Sequence, residues 1–205
     1  MYSRDEKKEL MAEKFARLNV LLKRRMPSVE DEMILRLFDK FGALPFRRCS
    51  APSDFSERVI KDTFSNPEIK TALEIGTLAG ITAAIMTQYV DKVYTFDIED
   101  NPLKYKVWDF LGVNDKIDFY LVKNELHKRD IINKLDFDIA YSDGDHLHHT
   151  FSDFLLVEKC GRVLIHEARQ PHSQPFALAH ALPKNQIKYF TYGKYRADIA
   201  YWSNK

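Results

Sequence analysis

The sequence predicts a doubly wound α/β fold: a seven-stranded, mostly parallel sheet with helices on both faces and a helical extension in front. Three observations predict it. From Thr71 onward, short apolar runs alternate with amphipathic stretches, the rhythm of strand–helix–strand crossovers. The first run ends in a glycine turn, Glu-Ile-Gly-Thr-Leu-Ala-Gly, which opens a helix. The last two runs are separated only by Gly193-Lys194-Tyr195, too short for a parallel crossover, so the sheet ends in an antiparallel hairpin.

Taken in order, Met11, Phe15, Leu18 and Leu22 form one apolar stripe on a first helix. Pro27 and Ser28 end it and start a second, lined by Met33, Leu37 and Phe41 and stopped at Gly42. A loop with Pro45 and Pro52 follows, then a third helix from about Asp54 to Phe64, ending before Asn66-Pro67. Residues 1–70 are thus expected to be a cap or dimerisation element, and 71–205 the α/β domain. The predicted strands are Thr71–Gly76, Lys92–Asp97, Ile117–Val122, Phe137–Asp143, Gly161–His166, Ile187–Tyr192 and Ala197–Trp202. Helices are predicted over Ile81–Tyr89, Leu103–Leu111, Leu126–Lys134, Thr150–Lys159 and Phe176–Leu182.

Composition bounds the function. Of 205 residues, 45% are hydrophobic, enough for one substantial core. Lys and Arg (31) balance Asp and Glu (30), which argues against nucleic acid as the main partner. No apolar run approaches the roughly 20 residues that span a bilayer, and the charged first residues lack a signal-peptide core. A cytoplasmic protein without a membrane partner is expected. Cys49 and Cys160 make neither a disulfide framework nor a zinc cluster.

The glycine turn carries the sharpest signal. Gly76 permits a tight bend and close approach of the backbone, and Gly80 permits close packing at the helix start. Asp97, at the end of the next strand, stands where a carboxylate reaches the hydroxyls of a ribose. Leu78 occupies what would be the middle glycine of a dinucleotide fingerprint, which disfavours a pyrophosphate ligand. An acid at Glu74 suits a cationic amino-acid portion, as in S-adenosylmethionine.

The order strand, Glu-Ile-Gly-Thr-Leu-Ala-Gly-Ile-Thr, helix, strand, Asp resembles the class I S-adenosylmethionine-dependent methyltransferases, and within them the small-molecule O-methyltransferases. The resemblance runs from about Thr71 to the C-terminus and implies a Rossmann-like methyltransferase fold. It implies that Glu74, Gly76, Thr77 and Gly80 border the cofactor's methionine moiety, that Asp97 holds its ribose and that Ile98 packs on its adenine. Asn124, in Lys123-Asn124-Glu125, stands where an acid near the adenine amine is usual.

A second cluster follows the fourth strand: Asp143, Asp145 and His146 in Ser-Asp-Gly-Asp-His. Ligands bind outside such strand ends in open α/β sheets. Asp143 and His146 are read as site residues; Asp145 is read as a helix cap, and His148 and His149 as solvated. The resemblance extends to this Asp-Gly-x-His segment, to Asp153 on the next helix and to His166-Glu167 after the fifth strand. A hydroxyl acceptor needs a general base tuned near neutrality or a divalent metal. His146 and His166 are the base candidates. The metal alternative, Mg or Mn, would use Asp143, His166 and Glu167. Phe46, Arg47, Arg48 and residues 168–175 are candidate substrate linings. The reading is methyl transfer to a small molecule, with a non-catalytic nucleoside-binding protein as the alternative and a homodimer as one assembly. A nucleic-acid methyltransferase is disfavoured further by the missing Asn/Asp-Pro-Pro-aromatic segment.

Overall fold

The fold is described from a computed structural model, which describes residues 54–204 apart from His146, Arg169, Gln170, Gly193 and Lys194. The first two predicted helices and Phe46, Arg47 and Arg48 lie outside the described residues. The chain runs α1 (Asp54–Phe64), β1 (Thr71–Ile75), α2 (Ile81–Met86), β2 (Lys92–Asp97), α3 (Leu103–Leu111) and β3 (Ile117–Leu121). It continues through α4 (Glu125–Ile132), β4 (Ile139–Ser142), α5 (Thr150–Val157), β5 (Arg162–Ile165), α6 (Gln174–Ala181), β6 (Ile187–Tyr192) and β7 (Tyr195–Ser203).

All seven strands join one sheet in the order β3-β2-β1-β4-β5-β7-β6, parallel except that β7 runs antiparallel to both neighbours. The predicted seven-stranded sheet, with its flanking helices and antiparallel last hairpin, is therefore the observed one. Alternate side chains feed two apolar layers, because successive residues of a strand face opposite ways. Ala72, Val93, Ile139, Tyr141 and Leu164 pack with α1–α3 through Ile60, Phe64, Ile85, Met86, Trp108 and Leu111. Leu73, Ile75, Ala140, Val163 and Ile165 face the other layer, with Ile132 of α4, Phe154 of α5 and Leu178 of α6.

Local chemistry sets the element boundaries. β4 starts at Ile139, later than the apolar run predicts, because the Asp138 carboxylate accepts the Lys70 and Thr71 amides (2.7 and 2.9 Å) beside β1. α2 stops at Met86, earlier than predicted, where the Thr87 hydroxyl donates to the Ala84 carbonyl (2.7 Å). Asn124 and Ser173 cap α4 and α6, accepting from the amides of His127 (2.9 Å) and Phe176 (3.2 Å). No helix among the described residues is long and apolar enough to cross a membrane.

Candidate active site

Strand order reverses between β1 and β4, and the turns leaving those strands meet there. Gly76 donates its amide to Phe96 O (2.9 Å) and Asp143 donates to Ile75 O (2.9 Å), tying the ends of β1, β2 and β4 together. Gly76 sits at φ +101°, and a Cβ there would lie 2.2 Å from the Asp143 carbonyl oxygen. Only glycine lets the two turns touch. Gly80 (φ +72°) has a different cause: its carbonyl accepts the Trp108 indole N–H (2.7 Å), and a Cβ would strike that ring at 2.5 Å. This glycine welds α2 to α3.

Leu78, between the two glycines, is forced to φ +45°. Its amide donates to Asp97 Oδ2 (2.7 Å), while Asp97 Oδ1 accepts from Glu99 N (3.1 Å). The carboxylate at the end of β2 thus bridges the glycine turn and its own loop. Next to it, Ile98 is 74% exposed, a large apolar side chain held in the open at the mouth of the crevice.

Glu74 lies within the sheet, fully buried between cross-strand neighbours Thr95 of β2 and Tyr141 of β4. The Thr95 hydroxyl donates to Glu74 Oε2 (2.5 Å), and Thr77 Oγ1 lies 2.6 Å from Thr95 Oγ1. Glu74 Oε1 is buried without a hydrogen-bond partner among the described residues. Burial pushes the Glu74 carboxyl well above the usual carboxylate range, opposed by the Thr95 hydrogen bond and reinforced by the charges of Asp143 and Asp97. Burial likewise lifts the Tyr141 phenol well above its ordinary value, with Asp143, Glu74 and Glu167 adding to the effect.

On the β4 and β5 side, Asp143 Oδ1 lies 2.5 Å from His166 Nδ1, both side chains half-buried, and the His166 ring lies 6.1 Å from that of Tyr141. The His166 amide donates to Ser142 O (3.0 Å), which fixes the loop that carries the imidazole. Glu167 follows at φ +55°, a second non-glycine residue held in the left-handed region at the strand ends.

The structure therefore brings Glu74, Gly76, Thr77, Asp97, Ile98, Asp143 and His166 to one crevice. His146 lies outside the described residues. Asn124 serves as the α4 cap. The metal alternative finds no support: among the described residues no three His, Cys, Asp or Glu side chains form a group that could hold a metal ion, Asp143, His166 and Glu167 included. Asp143 is engaged by the imidazole instead. Asp145 does not cap α5 as expected, since His149 stands at that position without a side-chain cap; it accepts the Leu147 amide (2.8 Å) in a local turn, with His148 exposed beside it. Asp153 is buried in an ion pair with Lys128, which also reaches Glu125 (2.9 Å), and this places it behind Gly144. Thr95 and Tyr141 were not singled out by the sequence. Their signal is register: each stands opposite the acid of the glycine turn once β2 and β4 flank β1.

A parallel sheet of this order, an antiparallel last hairpin and a crevice at the β1/β4 switch define the class I methyltransferase fold. Solved structures share it at low identity. The O-methyltransferase from Bacillus cereus in complex with S-adenosylhomocysteine aligns with TM-score 0.64 and 15% identity, over 91% of this chain and 96% of that one. The O-methyltransferase of tomaymycin synthesis from Streptomyces achromogenes, in complex with S-adenosylmethionine, aligns with TM-score 0.57 and 14% identity, over 76% and 82%. An rRNA methylase from Streptococcus thermophilus aligns with TM-score 0.53 and 12% identity, over 76% and 98%. No protein-family model matches the sequence, and no curated protein matches it.

Proposed function

We propose that this chain is an enzyme that transfers the methyl group of S-adenosylmethionine to a small molecule, at a hydroxyl oxygen. The observation that carries the reading is the Asp143–His166 pair, 2.5 Å apart, at the crevice where Gly76 meets the β4 turn. The residues fit the cofactor in three places. Glu74 offers a buried acceptor, without a partner among the described residues, beside the glycine turn, suited to an ammonium. Asp97 presents a carboxylate at the end of β2, suited to a ribose diol. Ile98 presents an exposed apolar face, suited to adenine. When bound, the cofactor supplies an electrophilic methyl on a cationic sulfur.

The protein's part is then to hold the acceptor and take its proton. With Asp143 against Nδ1, His166 is oriented to accept the hydroxyl proton at Nε2, and the carboxylate stabilises the imidazolium that forms. A near-neutral chain, with 31 basic and 30 acidic residues, favours a small acceptor over nucleic acid. Neighbouring folds include methylases of both kinds, so fold alone does not choose.

The test separates binding from turnover. Asp97→Ala is expected to weaken S-adenosylhomocysteine binding by about 10- to 100-fold, the worth of losing hydrogen bonds to a charged group. His166→Ala should leave that affinity within about threefold and cut methyl transfer to a panel of phenolic and aliphatic alcohols by about 10²- to 10⁴-fold. His146→Ala runs as the parallel arm. Absence of binding to the wild type at millimolar ligand, or wild-type turnover in His166→Ala, refutes the assignment.

A further inference from the structure

We propose that Thr95 is a positioning residue of the cofactor crevice: through the chain Thr77–Thr95–Glu74 it fixes the Glu74 side chain, which is neutral without ligand, and favours its ionised form when a cationic ligand docks and the proton leaves. The inference rests on the reading above, because the cation is the ligand's ammonium.

The geometry supplies three arguments. A carboxylate that is fully buried needs partners for both oxygens, yet among the described residues Oε1 has none and Oε2 has only the Thr95 hydroxyl. Such a group is cheapest when neutral. Its surroundings also oppose ionisation: Asp143 and Asp97 are the charges that act on it, Tyr141 is the phenol beside it, and its direct partner is an uncharged hydroxyl. Burial, the largest effect, raises the carboxyl well above its usual range, and the Thr95 hydrogen bond is what pulls it back. Finally, the chain is directional. Since Thr95 donates to Glu74, its oxygen accepts from Thr77, and Thr77 belongs to the glycine turn itself. A ligand that shifts the turn is therefore coupled to the acid through two hydroxyls.

The step balances simply. The O–H bond of the Glu74 carboxyl breaks, the proton passes to the buffer, and the carboxylate left behind pairs with the ammonium of the ligand. Thr95 keeps donating throughout, so it stabilises the ionised product of that step more than the neutral start.

The experiment is calorimetric titration of the full chain with S-adenosylhomocysteine in buffers of different ionisation enthalpy, across a range of pH. Wild type is expected to release a proton on binding, with affinity falling up to tenfold per pH unit below the carboxyl's pKa. Glu74→Gln should release none from this group and lose that pH dependence. Thr95→Val, of the same shape, should bind at least about tenfold more weakly at neutral pH and shift the break to higher pH. Thr95→Ser restores both. Wild-type binding without proton release, unchanged release in Glu74→Gln, or a Thr95→Val pH profile identical to wild type overturns the proposal while leaving the methyltransferase reading intact. Absence of any binding to wild type overturns the reading and, with it, this inference.

Discussion

The contact between Gly76 and Asp143 gives the most direct test of how the crevice is built. Replacing Gly76 with Ala places a methyl 2.2 Å from the Asp143 carbonyl oxygen, whereas real Cβ atoms essentially never approach closer than 3.0 Å. The turns must part by about 0.8 Å, and both partners at the contact are backbone, with no flexible side chain to swing aside. Three costs combine. The left-handed φ costs about 1–2 kcal/mol for a residue with a Cβ. Forcing packed turns apart costs about 1–3 kcal/mol. Straining the Asp143 amide bond to Ile75 O costs up to about 1 kcal/mol more. A total of about 2–6 kcal/mol lowers Tm by roughly 5–20 °C for a chain of this size. Gly112→Ala is the matched control, because Gly112 also has a positive φ (+67°) but nothing lies within 4 Å of its Cβ position. It bears only the backbone cost, about 1–2 kcal/mol. Both variants gain equally from the reduced entropy of the unfolded chain, so that effect cancels. Urea and thermal melts of the two, alongside S-adenosylhomocysteine titration, decide the matter. If Gly76→Ala melts within about 1 °C of Gly112→Ala, the turn-to-turn contact is not what the glycine is for.

Ile98→Ser should leave stability within about 0.5 kcal/mol, since the side chain is already in solvent, yet weaken S-adenosylhomocysteine binding by about tenfold; a thermal melt and a titration on the same sample check both halves. Lys128→Ala leaves Asp153 buried without its cation and should cost about 3–5 kcal/mol in urea melts, against at most about 1 kcal/mol for Lys92→Ala, whose pair with Asp118 is open to solvent. For the unliganded protein, the raised Glu74 carboxyl means the native state holds a proton that the unfolded chain gives up. Stability contributed by this group is therefore complete below about pH 4.5 and lost as pH rises towards the native carboxyl's pKa. Glu74→Gln should flatten that part of the stability–pH curve, and an unchanged slope would show that the proton is held elsewhere.

The fold was legible because its signals are local. Runs such as Thr71–Ile75 and Arg162–Ile165 are mostly apolar and buried along nearly their whole length, as strands covered by helices must be, and a short hairpin can close only one way. The position of Asp97 was legible for the same reason, since the length of one strand–helix–strand unit places it at the end of β2. What was not legible depends on neighbours brought in by register or by helix packing. Thr95 is an ordinary strand threonine until β2 places it opposite Glu74. Asp143 and His166 each stood out as site residues, but their pairing needs β4 and β5 to end level, which the Ser142–Ile165 register provides. Asp153 looked like part of the motif by spacing, and only the approach of α4 to α5 shows that its partner is Lys128. Gly80 was read from the turn, whereas its tight constraint comes from Trp108, 28 residues away.

The same geometry also narrows the ligand by charge. Glu74, Asp97, Asp143 and Glu167 converge from four strand ends, close enough that Asp143 and Asp97 both disfavour ionisation of Glu74 and three of the acids disfavour ionisation of Tyr141. With Glu74 neutral and Asp143 paired with His166, this set of acids still disfavours added negative charge, because partly buried charges are weakly screened. An anionic ligand such as a pyrophosphate would add to that repulsion, and the turn does not offer the second glycine that lets backbone amides offset it: Leu78 is there, with its amide already given to Asp97. A cation reverses the sign of every one of these interactions. On the proposed reading these acids favour a sulfonium nucleoside over a dinucleotide, and the hydroxyl of Thr95 is the neutral partner of the innermost of them among the contacts described.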